Sequence, residues 1–396
     1  MHKIIRLAIV CSHPIQYYAP VFQLLAKEIS LKVFYTAGAD SLRKFDPGFK
    51  KNIEWDIPLL KGYDYQFLQN TAKNPGSQHF KGIDTPDAIQ QINLFEPTAI
   101  LTYGWAYKSH LKILRYYKGK IPVYFRGDST LLDAHNGLKT WVKRLFLTWI
   151  YRHVDYCFYV GIANKDYFKR YGLKEKQLIF SPHAIDIERF EQKQLNEVQA
   201  LRNQFKLNQA DVLILFAGKF EPKKNPELLL EAFIDLDMKN THLLFVGNGV
   251  LEKLLKGKLG SLDSAQEKVK RRVHFMDFQN QTAMPVVYQA CDLFCLPSQG
   301  PSETWGLAVN EAMAAGKAVL VSNKVGCAID LVKAEINGAI FKSGDLVDLN
   351  QKLSVLIGNK DKLAQMGLAS QQIIKDWSFE KQVAAIIDTI QNKHAK

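Results

Sequence analysis

Two glutamates eight residues apart, Glu303 and Glu311, lie in Ser302-Glu303-Thr304-Trp305-Gly306-Leu307-Ala308-Val309-Asn310-Glu311, which Pro297-Ser298-Gln299-Gly300-Pro301 joins to the apolar run 292–296. The pattern reads as strand, turn and helix. Backbone N–H groups and the helix dipole at such a turn form an anion site suited to a phosphate or diphosphate. Were the backbone between them helical, the two carboxylates would stand about 12 Å apart at about 1.5 Å per residue. That is too far for a close acid–base pair. It suits opposite ends of an extended ligand such as a nucleotide sugar, with sugar hydroxyls on one carboxylate, a ribose diol on the other and the diphosphate on the amides between. Isolated glutamates on a helix surface are the simpler alternative, and Gly306 with the run 311–316 weighs against it.

A second cluster, 216–227, again joins a strand to a helix and contains Gly218, Lys219 and Lys224. Asn225 reads as an N-cap and Pro226 as the first helical residue, with Leu228, Leu229 and Phe233 as an apolar face. Lys219 and Lys224 are expected to converge on phosphates above the sheet edge, where two cations would stabilise a departing nucleoside diphosphate. Loop lysines exposed for no chemical reason are the alternative. Asp235-Leu236-Asp237 spells D-x-D, but its place at a helix end argues against a metal. Cys291 and Cys295 lack a second ligand pair at zinc spacing and read as packed strand residues, so no metal is expected.

These residues need rigid elements to hold them. Apolar runs at 4–11, 31–36, 98–103, 121–125, 155–160 and 177–180 alternate with amphipathic segments. The same pattern restarts at 212–217, 241–246, 272–276, 292–296, 318–321 and 338–341. Near-continuous apolar strands imply parallel sheets covered on both faces, so two successive α/β units of about six strands each are expected. The expected boundaries are a first unit over 1–190, a polar linker over 191–210, a second unit over 211–377 and a terminal helix over 378–396; the resemblance given below makes the first the acceptor-side and the second the nucleotide-sugar domain. That helix carries Phe379, Val383, Ile386, Ile387 and Ile390 on one face, to be laid on the first unit. The aromatic, turn-rich stretch 45–80 breaks the alternation and reads either as a ligand-facing loop or as a short hairpin padding the sheet edge.

The chain of 396 residues carries 52 Lys and Arg against 39 Asp and Glu, a net charge of +13. Residues 1–190 hold 27 basic and 16 acidic side chains (+11), and 191–396 hold 25 and 23 (+2). Nucleic acid, a phosphorylated metabolite and an anionic membrane are the anions such a charge admits. Five cysteines, mostly in apolar runs, argue against a disulfide framework and for a reducing compartment. No run of about 18 apolar residues spans a membrane and no signal peptide is evident, so a cytoplasmic protein, peripheral on the inner face of the membrane, is expected. Segment 137–153 mixes Lys139, Lys143, Arg144 and Arg152 with Trp141, Leu145, Phe146, Trp149 and Ile150. It reads as an interfacial helix or as one that packs its apolar face on the sheet.

At this level the sequence resembles the retaining glycosyltransferases of family four, of the bacterial surface-polysaccharide type. Glu303 and Glu311 match the family's E-x7-E signature, with Glu-Thr-Trp-Gly where Glu-Gly-Phe-Gly is common. Gly218-Lys219-Phe220 and Lys224 match its Gly-Arg-Leu and following Lys, with Lys219 for Arg and Asn225 for the usual Gly. Phe275-Met276-Asp277-Phe278 resembles the base-edge loop, with Asp277 in place of a Gly. The resemblance implies a GT-B fold, two Rossmann-like domains facing a cleft, with Glu303 at the donor sugar and Glu311 at the ribose. Gly218, Thr304, Trp305, Gly306, Leu307 and Phe278 would also contact the donor, and Lys219 and Lys224 its phosphates.

In the first unit the resemblance is weaker. His13, in the loop 13–20, and Arg126 and Asp128, in Phe125-Arg126-Gly127-Asp128-Ser129, would line the acceptor side, with structural roles as the alternative. The implied activity moves a hexosyl group from a nucleoside diphosphate sugar, with retained anomeric configuration and no cofactor or metal, to a saccharide or lipid-linked acceptor. An epimerase or phosphorylase on the same architecture is the catalytic alternative. A basic nucleic-acid-binding protein is disfavoured, because no recognised module accompanies the charge.

Overall fold

In the computed structural model, residues 5–43, 45–46, 51–52, 54–134 and 137–394 are described. The chain divides into two compact units. One comprises Met1–Lys44, Ile53–Ala184 and Phe379–Lys396, and the other Phe45–Asn52 and Ile185–Ser378.

The first unit is built on β1 (Arg6–Cys11) and β2 (Ser30–Tyr35). After these, β3 (Phe45–Asp46) and β4 (Lys51–Asn52) pair as a separate antiparallel ribbon. The sheet then takes β5 (Asp64–Phe67), β6 (Ala99–Tyr103), β7 (Val123–Arg126), β8 (Tyr156–Tyr159) and β9 (Leu178–Phe180). Its strand order is β5-β2-β1-β6-β7-β8-β9, with every pairing parallel. Leu7, Ile9 and Cys11 enter one core layer with the Ala19–Glu28 helix and Phe379, Val383, Ile386 and Ile390 of the Phe379–His394 helix. Ala8 and Val10 enter the opposite layer with Leu114 and Ile150. Alternate residues of one strand therefore feed two apolar layers, and a continuous apolar run results.

The six expected runs are strands, and β5 is a seventh that forms no apolar run. It lies within the 45–80 stretch, of which Pro47, Gly48 and Phe49 fall outside the described residues. Its sequence is Asp64-Tyr65-Gln66-Phe67, with Asp64 and Tyr65 exposed at the sheet's edge. Tyr65 and Phe67 pack on Tyr35, with ring centroids 6.4 and 5.3 Å away. An edge strand of this kind alternates rather than running apolar.

The second unit's sheet comprises β10 (Val212–Ala217), β11 (Thr241–Val246), β12 (Val273–Met276), β13 (Leu293–Leu296), β14 (Ala318–Ser322) and β15 (Gly338–Phe341). Its order is β12-β11-β10-β13-β14-β15, all parallel. The stretch 191–210 contains the helix Leu195–Gln204, which packs on Met284–Ala290 within this unit. Arg202 from that helix donates to Ala290 O (2.7 Å) and Asp211 O (2.8 Å). All five cysteines are buried and unbridged.

Candidate active site

Strand order reverses between β10 and β13, and at such a switch point the loops leaving two adjacent strands part to opposite faces of the sheet. The two expected clusters leave these two strands. Residues 218–225 follow β10, and 297–306 follow β13. Gln299 ties them together, its N–H donating to Lys223 O (2.8 Å) and its Nε2 to Pro222 O (2.7 Å). Lys224 Nζ then lies 2.6 Å from Glu303 Oε2, with side chains 16% and 8% exposed. Ser298 Oγ donates to the same carboxylate oxygen at 3.0 Å. A carboxylate with so little access to water requires such partners.

The backbone around the pair is specified by glycines. Gly306 has φ +97°, and a Cβ there would meet Val325 Cγ1 at 2.8 Å. Gly218 has φ +149°, and a Cβ on it would lie 3.8 Å from Lys224 Cε, so the lysine stem passes over this glycine. Lys219 follows, half-buried. Asn225 holds the N-cap position as expected, without a side-chain cap hydrogen bond. It stands in the left-handed region at φ +50°, just before Pro226–Leu236. Asn tolerates that conformation better than most residues, which accounts for its standing where Gly is usual.

Glu303 and Trp305 form a two-rung ladder with the next loop, where Gly326 N–H donates to Glu303 O (3.0 Å) and Cys327 N–H to Trp305 O (2.9 Å). The helix Leu307–Ala314 begins only after Gly306, so the backbone between the two glutamates is partly non-helical. Glu311 is 4% exposed and its Oε2 accepts from Tyr288 OH at 2.9 Å. Trp305 Nε1 donates to Asn310 Oδ1 (2.9 Å), locking the indole onto the same helix. Asp277 Oδ1 accepts from Phe278 N (2.8 Å) and from Asn248 Nδ2 (2.9 Å), joining the loops after β12 and β11. The D-x-D aspartates are engaged elsewhere, Asp237 by Arg272 and Asp235 by Asn350 Nδ2 (3.4 Å). Among the described residues no cluster of metal-ligating side chains occurs.

In the first unit a cavity of about 680 Å³ opens at the carboxyl ends of β1, β6 and β7. Arg126 and Asp128 line it, together with Ser12, Tyr103 and Lys143. Arg126 is 3% exposed and its guanidinium is taken up by Ser181 O (2.8 Å), Ser181 Oγ (3.1 Å) and Pro182 O (2.8 Å). It therefore shapes the wall. His13 shares a hydrogen bond with Ser12 (2.9 Å) and is not one of the lining residues. His183 is driven down to about 3 by burial and then by Arg126, and stays neutral.

Residues 197–372 match the family of glycosyl transferases group 1. The match takes in 176 of the chain's 396 residues and contains both clusters. A D-inositol 3-phosphate glycosyltransferase of Nocardia farcinica is 27% identical over 202 residues, which cover 50% of this chain and 44% of that protein. The matched region thus spans less than half the length of that relative. Anabaena HepE, solved with UDP and glucose, superposes with a TM-score of 0.73 at 16% identity, covering 98% of this chain and all of that one. Sucrose-phosphate synthase of Thermosynechococcus elongatus gives 0.73 at 16% identity, with 99% of each chain covered. The fold is GT-B.

Within the matched segment, Glu303, Lys224, Gly218 and Gly306 come together around one pair of loops. Ser298, Tyr288 and Gly326 complete the arrangement and were not singled out from the sequence. A Cβ at Gly326 would fall 1.8 Å from Thr304 O, so only glycine fits beside that carbonyl. Nothing in a lone serine, tyrosine or glycine 5 to 23 residues from its partner signals such a contact.

Proposed function

We propose that the chain transfers a hexosyl group from a nucleoside diphosphate sugar to a hydroxyl acceptor, with retention and without a metal, in polysaccharide or glycolipid synthesis. The observation that carries this reading is the enclosed Lys224–Glu303 pair at the β10/β13 switch point, a cation and a carboxylate 2.6 Å apart beside glycine-shaped backbone. The UDP and glucose held by Anabaena HepE support a nucleotide sugar as donor.

In this scheme Lys224 and Lys219 neutralise the diphosphate and Glu303 accepts hydrogen bonds from the donor sugar. Backbone from Thr304 to Leu307 holds the phosphates, Glu311 takes the ribose hydroxyls, and Phe278 with Gly218 borders the nucleotide. The bond from the anomeric carbon to the phosphate oxygen breaks as the acceptor oxygen bonds to the same face. The acceptor's proton passes to the departing diphosphate. Charge developing on that leaving group is what fixed cations stabilise most.

The test is initial transfer rate for Glu303→Gln and Lys224→Ala. Falls of about 10² or more are expected for lost transition-state contacts. Rates within twofold of the parent would remove the assignment. Product analysis with and without acceptor separates transfer from epimerisation or phosphorolysis. The acceptor is assigned to the first unit; the +11 charge of residues 1–190, which make up most of it, fits an anionic lipid-linked acceptor or membrane surface.

A further inference from the structure

The helix Leu138–Tyr151 has one buried and one bare face. Leu147, Ile150 and Tyr151 belong to the first unit's core. Trp141, Val142, Leu145, Phe146 and Trp149 are exposed by 60, 60, 53, 45 and 37%. At about 100° per residue these five fall within an arc of about 140°, a continuous apolar stripe rather than scattered residues. Between Asp133 and Asp155 the sequence has Lys139, Lys143, Arg144 and Arg152 and no acidic residue. Lys143 and Phe146, on the helix's exposed side, also line the 680 Å³ cavity, as does Leu147 behind them.

We propose that this helix seats the chain on an anionic bilayer, and that the bordering cavity takes the hydroxylated head of an amphiphilic acceptor whose apolar tail stays in that bilayer. The acceptor half of this statement rests on the glycosyl-transfer reading above. The occupant follows from charge and composition. A second copy of the chain would meet this helix across a two-fold axis, bringing two basic segments without acidic residues together. An anionic interface instead takes the indole rings at headgroup depth and the cations among lipid phosphates. Lys143 and Phe146, shared by stripe and cavity, give the head a short route from one to the other. The lining rings Tyr103, Trp105 and Tyr107 offer stacking surface to a sugar or polyol.

The test uses the full chain with vesicles of phosphatidylcholine alone or with about one-third phosphatidylglycerol. Sedimentation is expected with the anionic vesicles only, weakening as salt rises. It should fall at least tenfold in Trp141→Ser/Leu145→Ser/Trp149→Ser and in Arg144→Glu/Arg152→Glu, while nucleotide-sugar binding stays unchanged. No sedimentation at low salt, sedimentation unaffected by both variants, or a solution dimer abolished by the serine variant would each overturn the bilayer assignment.

A second arm follows labelled sugar from a nucleotide sugar into vesicles of total bacterial membrane lipid. Incorporation by the parent and at least tenfold less by the serine variant are expected. Label entering only water-soluble saccharides overturns the amphiphilic acceptor. Label entering no acceptor overturns the glycosyl-transfer reading, and sedimentation still decides the bilayer question.

Discussion

Gly326→Ala perturbs the proposed donor site without touching a charge. The added Cβ would lie 1.8 Å from Thr304 O and 3.0 Å from Trp305 N. Ordinary contact begins at 3.4 Å, so the two loops must part by 3.4 − 1.8 = 1.6 Å. That motion stretches both rungs, Gly326 N–H to Glu303 O (3.0 Å) and Cys327 N–H to Trp305 O (2.9 Å). At about 1 kcal/mol per hydrogen bond the loss is about 2 kcal/mol, or roughly 4–8 °C in melting temperature for a unit of this size. Activity should suffer more, because a misplacement of about 1 Å costs about 10² in rate. A fall in kcat/KM of about 10² or more is expected, measured by nucleoside diphosphate release, with calorimetry for donor affinity and scanning for stability. Gly257→Ala is the control. It lies in the helix Glu252–Gly260, and its Cβ would meet nothing within 4 Å. It should gain about 0.5–1 kcal/mol. If Gly326→Ala keeps kcat/KM within threefold of this control, the reasoning that this ladder positions the donor loop is refuted.

The remaining predictions concern charge, conformation and pH. In a double-mutant cycle of Glu303→Gln with Lys224→Met, stability changes should be non-additive by about 1–3 kcal/mol, with no recovery of activity in the double mutant. Full additivity in urea unfolding would break the pair. Asn225→Val should cost about 1–2 kcal/mol because a β-branched residue resists the left-handed region, whereas Asn225→Gly should be near neutral. His110 is fully buried, with Nδ1 to Gly104 O (3.0 Å) and Nε2 to Thr36 Oγ1 (2.8 Å), and burial pushes it down to about 4. A histidine lowered in the folded state contributes stability that is full above its unfolded value of about 6.5. That stability is lost as pH falls from there towards about 4, at most about 3 kcal/mol. Melting temperature should therefore drop between pH 7 and pH 4.5, and the slope should flatten in His110→Gln.

What could be read in advance follows from how each residue exerts its effect. A strand buried on both faces writes itself as an uninterrupted apolar run, so β1 and β10 were evident, and the half-exposed edge strand β5 was not. Glu303, Gly218 and Lys224 could be singled out because they stand on strand-to-helix turns, and Glu311 because it follows on the helix that one of those turns opens. Ser298 also sits on that turn, but its bond to Glu303 depends on a rotamer, and Tyr288 reaches Glu311 across 23 residues of chain. Asn225 was legible as the N-cap in front of Pro226, but its left-handed backbone was not, because both conformations favour the same residue type there. Arg126 was expected on the acceptor side or in a structural role, and its engagement by the carbonyls of Ser181 and Pro182, 55 and 56 residues onward, has no sequence trace.

The Phe379–His394 helix has a consequence for biogenesis. It completes the layer under Ile9, Phe22 and Leu25, yet it is encoded after the whole of Ile185–Ser378. On a ribosome the earlier unit must wait with one apolar face unroofed while the later unit is made, and the later unit, whose Ile185–Ser378 span is continuous, can close first. Translation that stops before residue 379 would therefore leave a folded second unit attached to a sticky, chaperone-dependent first one.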